Sequence, residues 1–257
     1  MQSVRRASVM ARDGVEDAVA RLRAVAERHG VELADDGGGD IAVVLGGDGT
    51  MLGALRHLLG TGVPALGVNY GRVGFLTAMA GEQLEEGLAR VFAGEYRVVE
   101  LSTLEVTVNG ETSVAVNDVV VAGGTLGRMV ELGYAIGGED LGGQPCDGLI
   151  CATPTGSTAY NLSNGGPVLV RGLDAMVLTF VAPHALHIRP LVVPRGPDVV
   201  VTNLTSDQAT GVLVDGQQIA TLGHGEQAVV RVGAQPSLLA TLPEVTFFSR
   251  YAANFGG

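Results

Sequence analysis

An α/β domain with a parallel, Rossmann-like sheet, followed by a mostly β domain of the sandwich type, is the fold this sequence predicts. Two observations carry it. Up to about residue 98, segments with apolar residues at helical spacing alternate with short apolar runs, the pattern of strands joined by helical crossovers. Beyond that point the chain is β-rich, its apolar runs short and separated by turn residues.

The elements follow in order. Val15, Val19, Leu22 and Val25 recur at helical spacing up to Arg28, and the run Val31 to Leu33 precedes an acidic, glycine-rich segment from Asp35 to Asp40 that reads as solvated loop. Ile41 to Leu45 reads as a buried strand, Met51 to Leu59 as a helix, Val63 to Val68 as the next strand and Glu82 to Phe92 as another helix. Right-handed crossovers make these strands parallel, so their carboxyl ends share the edge where open α/β sheets bind ligands. Both Gly46 to Thr50 and Gly71 to Phe75 fall there. The β-rich part has runs at Leu104 to Val108, Val114 to Val121, Met129 to Ile136 and Gly148 to Cys151. Shorter runs follow at Met176 to Val181, Val199 to Val201, Gly211 to Val214, Gln218 to Leu222 and Ala228 to Val232. Asn109-Gly110 and Asp215-Gly216 are hairpin-turn signals. No internal repeat or low-complexity linker is visible.

Composition removes several functions. The 257 residues, 46% of them hydrophobic, suffice for one large domain or two modest ones. A net charge of -11 and a pI near 4.8 argue against a surface that wraps nucleic acid. No apolar stretch approaches the roughly 20 residues that span a bilayer, and Met1 to Arg12 lacks a signal-peptide core, so a cytoplasmic protein without a membrane partner is expected. All 16 basic residues are Arg. A P-loop ending in Gly-Lys-Ser/Thr and a protein-kinase strand lysine are therefore both excluded. Cys146 and Cys151 match no zinc spacing and are expected as reduced thiols, Cys151 within a strand. His184 and His187 share a face only on a helix, which Pro183 and Pro190 oppose, so no direct protein metal ligand is identified.

The chemistry lies in two glycine-rich turns. Gly46-Gly47-Asp48-Gly49-Thr50 follows an apolar run and opens a helix-like segment, a geometry that lets backbone approach a pyrophosphate while holding a carboxylate at the mouth of the sheet. Taken alone, Asp48 reads equally as a proton acceptor or as a helix cap. Asn117-Asp118 interrupts a buried β run, where an unpartnered polar pair is expensive; it reads as a ligand contact or as a turn. Residues 153 to 160, Thr-Pro-Thr-Gly-Ser-Thr-Ala-Tyr, offer hydroxyls, backbone donors and an aromatic ring ahead of a helix start near Asn161. The plainer alternative is a self-capped turn.

These segments together resemble the NAD kinases. The likeness runs through nearly the whole chain, from Gly46-Gly47-Asp48-Gly49-Thr50 through Asn69 to Leu76, Asn117-Asp118, Asp147 to Pro167, Pro183 to Pro190 and Asp215-Gly216-Gln217. The first turn is shared with diacylglycerol kinases and related lipid kinases; the segment 153 to 160 is far more specific. The resemblance implies an NAD kinase/diacylglycerol kinase-like fold in which about Pro243 to Phe255 returns to the first domain. Domains of 1–98, completed by about 243–257, and 99–242 are then expected.

The resemblance also implies phosphorylation of the adenosine 2′-hydroxyl of NAD, giving NADP, with ATP or polyphosphate as donor and Mg2+ or another divalent metal. Asp48 then accepts the proton, and Gly46, Gly47 and Thr50 face the donor phosphates. Gly49, Gly74 and Phe75 wall the site, although a Phe also reads as core. Asn117 and Asp118 contact ribose hydroxyls, and Thr158, Ala159, Tyr160 and Ser163 line the dinucleotide site. Asp147 reads the adenine amino group from a neighbouring subunit of a homodimer or homotetramer, or simply shapes the turn with Gly148. In the family the acid after Asn117 is usually Glu; here it is Asp118, one methylene shorter. Two other functions fit parts of the sequence: a lipid or other alcohol kinase sharing the first turn, and a catalytically silent NAD(P)-binding regulator. Donor preference and the choice between NAD and NADH are not readable.

Overall fold

The computed structural model describes residues 3–34, 37–71, 74–124, 128–185 and 187–256. The chain divides into two compact units, Met1–Leu101 with Pro236–Gly257, and Ser102–Gln235.

The first unit begins with β1 (Arg6–Ala11), α1 (Glu16–His29), β2 (Glu32–Ala34), β3 (Ile41–Leu45), α2 (Asp48–His57), β4 (Ala65–Asn69), β5 (Met79–Ala80), α3 (Leu84–Phe92) and β6 (Arg97–Leu101). Helix α1 buries Ala18, Leu22, Val25 and Ala26; of the expected stripe, Leu22 and Val25 are on this face, Val15 is buried at the N-cap and Val19 packs half-buried at the edge of the core. It stops where Gly30 takes φ 66°, a left-handed conformation that lets the amides of Gly30 and Val31 close on the carbonyls of Glu27 and Ala26. Every residue of β3 and β4 is buried, which is why both read as unbroken apolar runs rather than alternating ones.

The second unit carries β7 (Leu104–Val108), β8 (Glu111–Ala115), β9 (Asp118–Gly123), β10 (Val130–Ile136), β11 (Glu139–Cys146) and β12 (Gly148–Ala152). After the short helix α4 (Tyr160–Ser163) come β13 (Ala175–Val181), β14 (Leu191–Pro194), β15 (Val199–Asn203), β16 (Thr210–Val214), β17 (Gln217–Leu222) and β18 (Gln227–Val232). The chain then returns to the first unit with β19 (Ser237–Thr241) and α5 (Phe247–Phe255).

Among the described residues the first unit has one sheet, ordered β2-β1-β3-β4-β19-β6 with β5 beside β4. Its pairings are parallel except for β6 against β19. The first unit runs to Leu101 and resumes at Pro236, since β6 ends at Leu101 and β19 inserts between β4 and β6. Nothing local marks β19: its partners lie at 65–66 and 97–101, far back in the chain.

The second unit holds two antiparallel sheets, β11-β10-β15-β18-β7-β8 and β14-β13-β12-β9-β16-β17. Leu104, Leu132, Val201 and Val230 of one share a core with Val119, Leu149, Met176 and Val212 of the other, the arrangement of a sandwich. On the opposite face of the second sheet, Val120, Ile150 and Val177 are covered by Leu169. With both faces covered, β9, β12 and β13 lose their alternation. Both hairpin signals are realised as left-handed pairs, Asn109 and Gly110 at φ 50° and 84°, Asp215 and Gly216 at 47° and 80°.

Two expectations change. The run Val114 to Val121 is two strands in different sheets, broken at Val116-Asn117 where the chain passes from β8 to β9. Strand β11 was not expected, because it is an exposed edge strand, Glu-Asp-Leu-Gly-Gly-Gln-Pro-Cys, without alternation. Among the described residues no helix is long and apolar enough to cross a membrane. The shared core predicts that Leu149→Ala, at a fully buried site, costs about 2–5 kcal/mol. A urea-unfolding midpoint equal to that of the parent would remove Leu149 from it.

Candidate active site

In the first unit, β3 delivers the chain to Gly46, whose amide bonds the Val68 carbonyl of the neighbouring strand at 3.0 Å. A Cβ on Gly46 would lie 2.3 Å from Thr50 Oγ1, so the turn closes only without one. Gly47 caps α2 in an extended conformation, and Asp48 is the helix's first residue. The helix therefore starts three residues earlier than the apolar spacing suggested. Asp48 makes no capping bond; its carboxylate accepts from the amides of Phe75 at 3.0 Å and Leu76 at 3.2 Å. A Cβ on Gly74 would meet both Asp48 oxygens at 2.2 Å. Thus Gly74, Phe75 and Asp48 do come together, while Gly49 faces open space.

Two amide bonds do not exhaust a carboxylate, which offers about four acceptor sites. Asp48 can therefore be oriented by the loop and still accept a proton or a hydroxyl bond. Sequence reasoning missed what lies behind that loop. Phe247 and Phe255 of α5 stack on Phe75 at centroid distances of 6.3 and 5.7 Å, and Arg250 donates to the Thr77 carbonyl. Burial lowers the pKa of the Arg250 guanidinium, opposed by the charge of Asp48, and its Nε has no partner among the described residues. The available signal was a lone Arg within the aromatic segment Phe247-Phe248-Ser249-Arg250-Tyr251.

In the second unit, Thr153 ties the two motifs together. Its amide bonds the Asn117 carbonyl at 2.9 Å and its hydroxyl donates to the Val116 carbonyl at 2.7 Å, while accepting from the Gly156 amide at 3.0 Å. A Cβ on Gly156 would lie 2.0 Å from the Asn117 carbonyl oxygen. Residues 36 positions apart, Asn117 and Thr153, are thereby held in one place. Buried Asn161 fixes the far side, donating to the carbonyls of Ser157 and Pro167 and accepting from Thr179 at 2.6 Å. On this frame Thr158 donates to the Thr155 carbonyl, Ala159 is half-buried, and Tyr160 and Ser163 are exposed. Asp147 is exposed in the turn between β11 and β12.

Asn117 presents a buried side-chain oxygen that lacks a partner among the described residues. Asp118, 6% exposed, has its carboxyl pushed up to about 7 by burial and, behind that, by the charge of Asp215. Cys146 and Cys151 are free and buried, and burial pushes both thiols up to about 12. No group of three or more His, Cys, Asp or Glu side chains disposed to hold a metal occurs among the described residues. Asp35, Asp36, Arg72, Val73 and Leu186, which belong to segments read above, lie outside the described residues.

Comparison with known proteins gives the family. Residues 3–96 match the ATP-NAD kinase N-terminal domain model and residues 116–242 the ATP-NAD kinase C-terminal domain model. The chain belongs to the NAD kinase family. It is 39% identical over 234 residues to the NAD kinase of Gemmatimonas aurantiaca, covering 89% of this chain and 81% of that protein. With the NAD kinase of Heliobacterium modesticaldum it shares 42% over 214 residues, 81% of this chain and 76% of the relative. An NAD kinase from Archaeoglobus fulgidus solved with ATP is 26% identical with a TM-score of 0.82, covering 96% of this chain and 97% of that one. A yeast NADH kinase solved with NADH, 20% identical, has the same fold, with a TM-score of 0.85 over 100% of this chain and 89% of its own. The chain is thus an enzyme of the NAD kinase class, a phosphotransferase acting on NAD.

The Asp118 environment has a measurable consequence. Its folded pKa, about 7, lies above the ordinary 3.8, so the folded state holds this proton more tightly than the unfolded chain. The resulting stabilisation is complete below about pH 4 and is lost as pH rises through about 7. Relative to the parent, Asp118→Asn should flatten stability over that window in thermal melts; identical slopes would contradict the buried, protonated side chain.

Proposed function

We propose that the chain transfers the terminal phosphoryl of ATP or polyphosphate to the adenosine 2′-hydroxyl of NAD, with Asp48 accepting the hydroxyl proton. The observation that carries this reading is the fixed carboxylate: Asp48 is oriented by two backbone amides and pressed against Gly74. In a loose phosphoryl transfer the proton leaves late, so placement of the acceptor matters more than its basicity. Gly46, Gly47 and Thr50 at the start of α2 suit the donor phosphates, since helix N-termini offer unpaired amides and a positive dipole end.

The dinucleotide is the role we assign to the second unit's residues. The Asn117 oxygen, without a partner among the described residues, is an acceptor that a ribose hydroxyl would satisfy, with Asp118 beside it. Tyr160, 46% exposed, offers its ring to a base. Thr158, Ala159 and Ser163 complete the lining. Mg2+ belongs in this reading on the donor's phosphates, as such sites commonly arrange it. Cytoplasmic action is consistent with two free thiols. ATP as donor is supported by the Archaeoglobus relative solved with it.

Asp48→Asn keeps the shape and removes the acceptor, so turnover should fall by about two to four orders of magnitude while NAD affinity stays near that of the parent. Retained turnover would take the base role from Asp48. We further assign Asp147 to the adenine amino group of a partner subunit's site in a homodimer or homotetramer, a contact its exposure allows. Sedimentation and activity followed through a dilution series should decline together; a fully active monomer with undiminished NAD affinity would contradict the shared site.

A further inference from the structure

The hairpin turn between β16 and β17 does more than reverse the chain. Asp215 occupies its first left-handed position, at φ 47°. From there its carboxylate accepts from the backbone amides of Val116 at 3.0 Å, Asn117 at 2.7 Å and Asp118 at 3.2 Å. Its own amide returns a bond to the Asp118 carbonyl at 3.0 Å. These amides belong to the break between β8 and β9, where the chain changes sheets. A strand ladder cannot satisfy all of them there, and an ionised acceptor makes bonds about twice as strong as a neutral one.

We propose that Asp215 is a positioning residue for NAD recognition, fixing the backbone of Asn117-Asp118 and controlling the charge state in which Asp118 meets the ribose. This rests on the reading above that the pair contacts NAD. The geometry gives Asp215 two separable effects. Its reach sets where the Asn117 side-chain oxygen lies, and its charge disfavours ionisation of Asp118, adding to burial. Among the described residues the ionisable groups facing Asp118 are Asp215, from the turn, and Cys151, from β12. The Cys151 thiol is held neutral by burial and by Asp118 itself, its pKa pushed up to about 12, so Asp215 supplies the charge. Ionised Asp118 is the better acceptor for ribose hydroxyls, so NAD binding tightens as pH rises through about 7.

The test is NAD affinity by calorimetry from about pH 5 to about 9, in roughly half-unit steps, for the parent, Asp215→Asn, Asp215→Glu and Asp118→Asn. Asp215→Asn keeps the side-chain length but removes the charge and, with one oxygen in place of two, one amide bond; it should move the midpoint of the affinity rise about one unit toward acid. Asp215→Glu keeps the charge but not the reach, and should leave the midpoint in place while weakening the plateau about tenfold. Parent-like midpoints and plateaus in both would overturn the proposal. Loss of the pH step in Asp118→Asn is expected; its persistence at full affinity would instead overturn the assignment of the pair to NAD, and the proposal with it. If neither Asp215 variant folds, carboxyl carbon NMR of the parent decides: titration of Asp118 near 7 with its carbon signal also responding to the ionisation of Asp215 supports the coupling, and titration in the ordinary carboxylate range, or near 7 without that response, refutes it.

Discussion

The amides of Val116, Asn117 and Asp118 close on the Asp215 carboxylate where the chain leaves one sheet of the sandwich for the other. Much of the second unit is organised around that closure. It lets a polar pair sit at a break in a buried region without stranding its backbone, and it fixes the carbonyls of Val116 and Asn117 that Thr153 then bonds. The segment 153 to 167 is anchored in turn, with Leu169 packed over Val120, Ile150 and Val177. Burying an unmet amide costs about 1–3 kcal/mol, so a turn residue remote in sequence governs the shape of the segment 153 to 167.

The first unit solves a related problem with the same chemistry. Its parallel sheet brings Gly46 and the loop after β4 to the carboxyl ends of adjacent strands, and Asp48 bridges them by accepting the Phe75 and Leu76 amides. Gly74 is required because the bridge leaves no room for a Cβ. Helix α5 backs the loop through Phe247, Phe255 and Arg250. The catalytic reading of Asp48 and its structural role are therefore not alternatives, since a carboxylate locked to a loop is also a carboxylate held in place.

Much of this was legible in the sequence because the signals were local. Helix α1, strands β3 and β4 and the hairpins at Asn109-Gly110 and Asp215-Gly216 follow from spacing and turn chemistry in adjacent residues. Asp48 stood out by its glycines. What stayed hidden depends on contacts distant in the chain: β19 completing the first sheet, Arg250 reaching Thr77, and Asp215 reaching back 98 positions to Asn117. Asp215 was visible as a turn former and as part of the family likeness at Asp215-Gly216-Gln217, but not by its bonds, because a turn's side-chain partners leave no trace in its own neighbourhood. The break at Asn117 looked like an interruption of one strand, since two strands in different sheets are equally apolar.

The phosphoryl acceptor is the centre of the account, and phosphorus NMR of the reaction products tests it directly. The purified chain, given NAD, ATP and Mg2+, should produce a phosphomonoester signal on the adenosine ribose, with ADP in equal amount and the product usable by an NADP-specific dehydrogenase. ATP consumption with NAD unchanged, or phosphate appearing on a lipid alcohol in a parallel reaction, would contradict it.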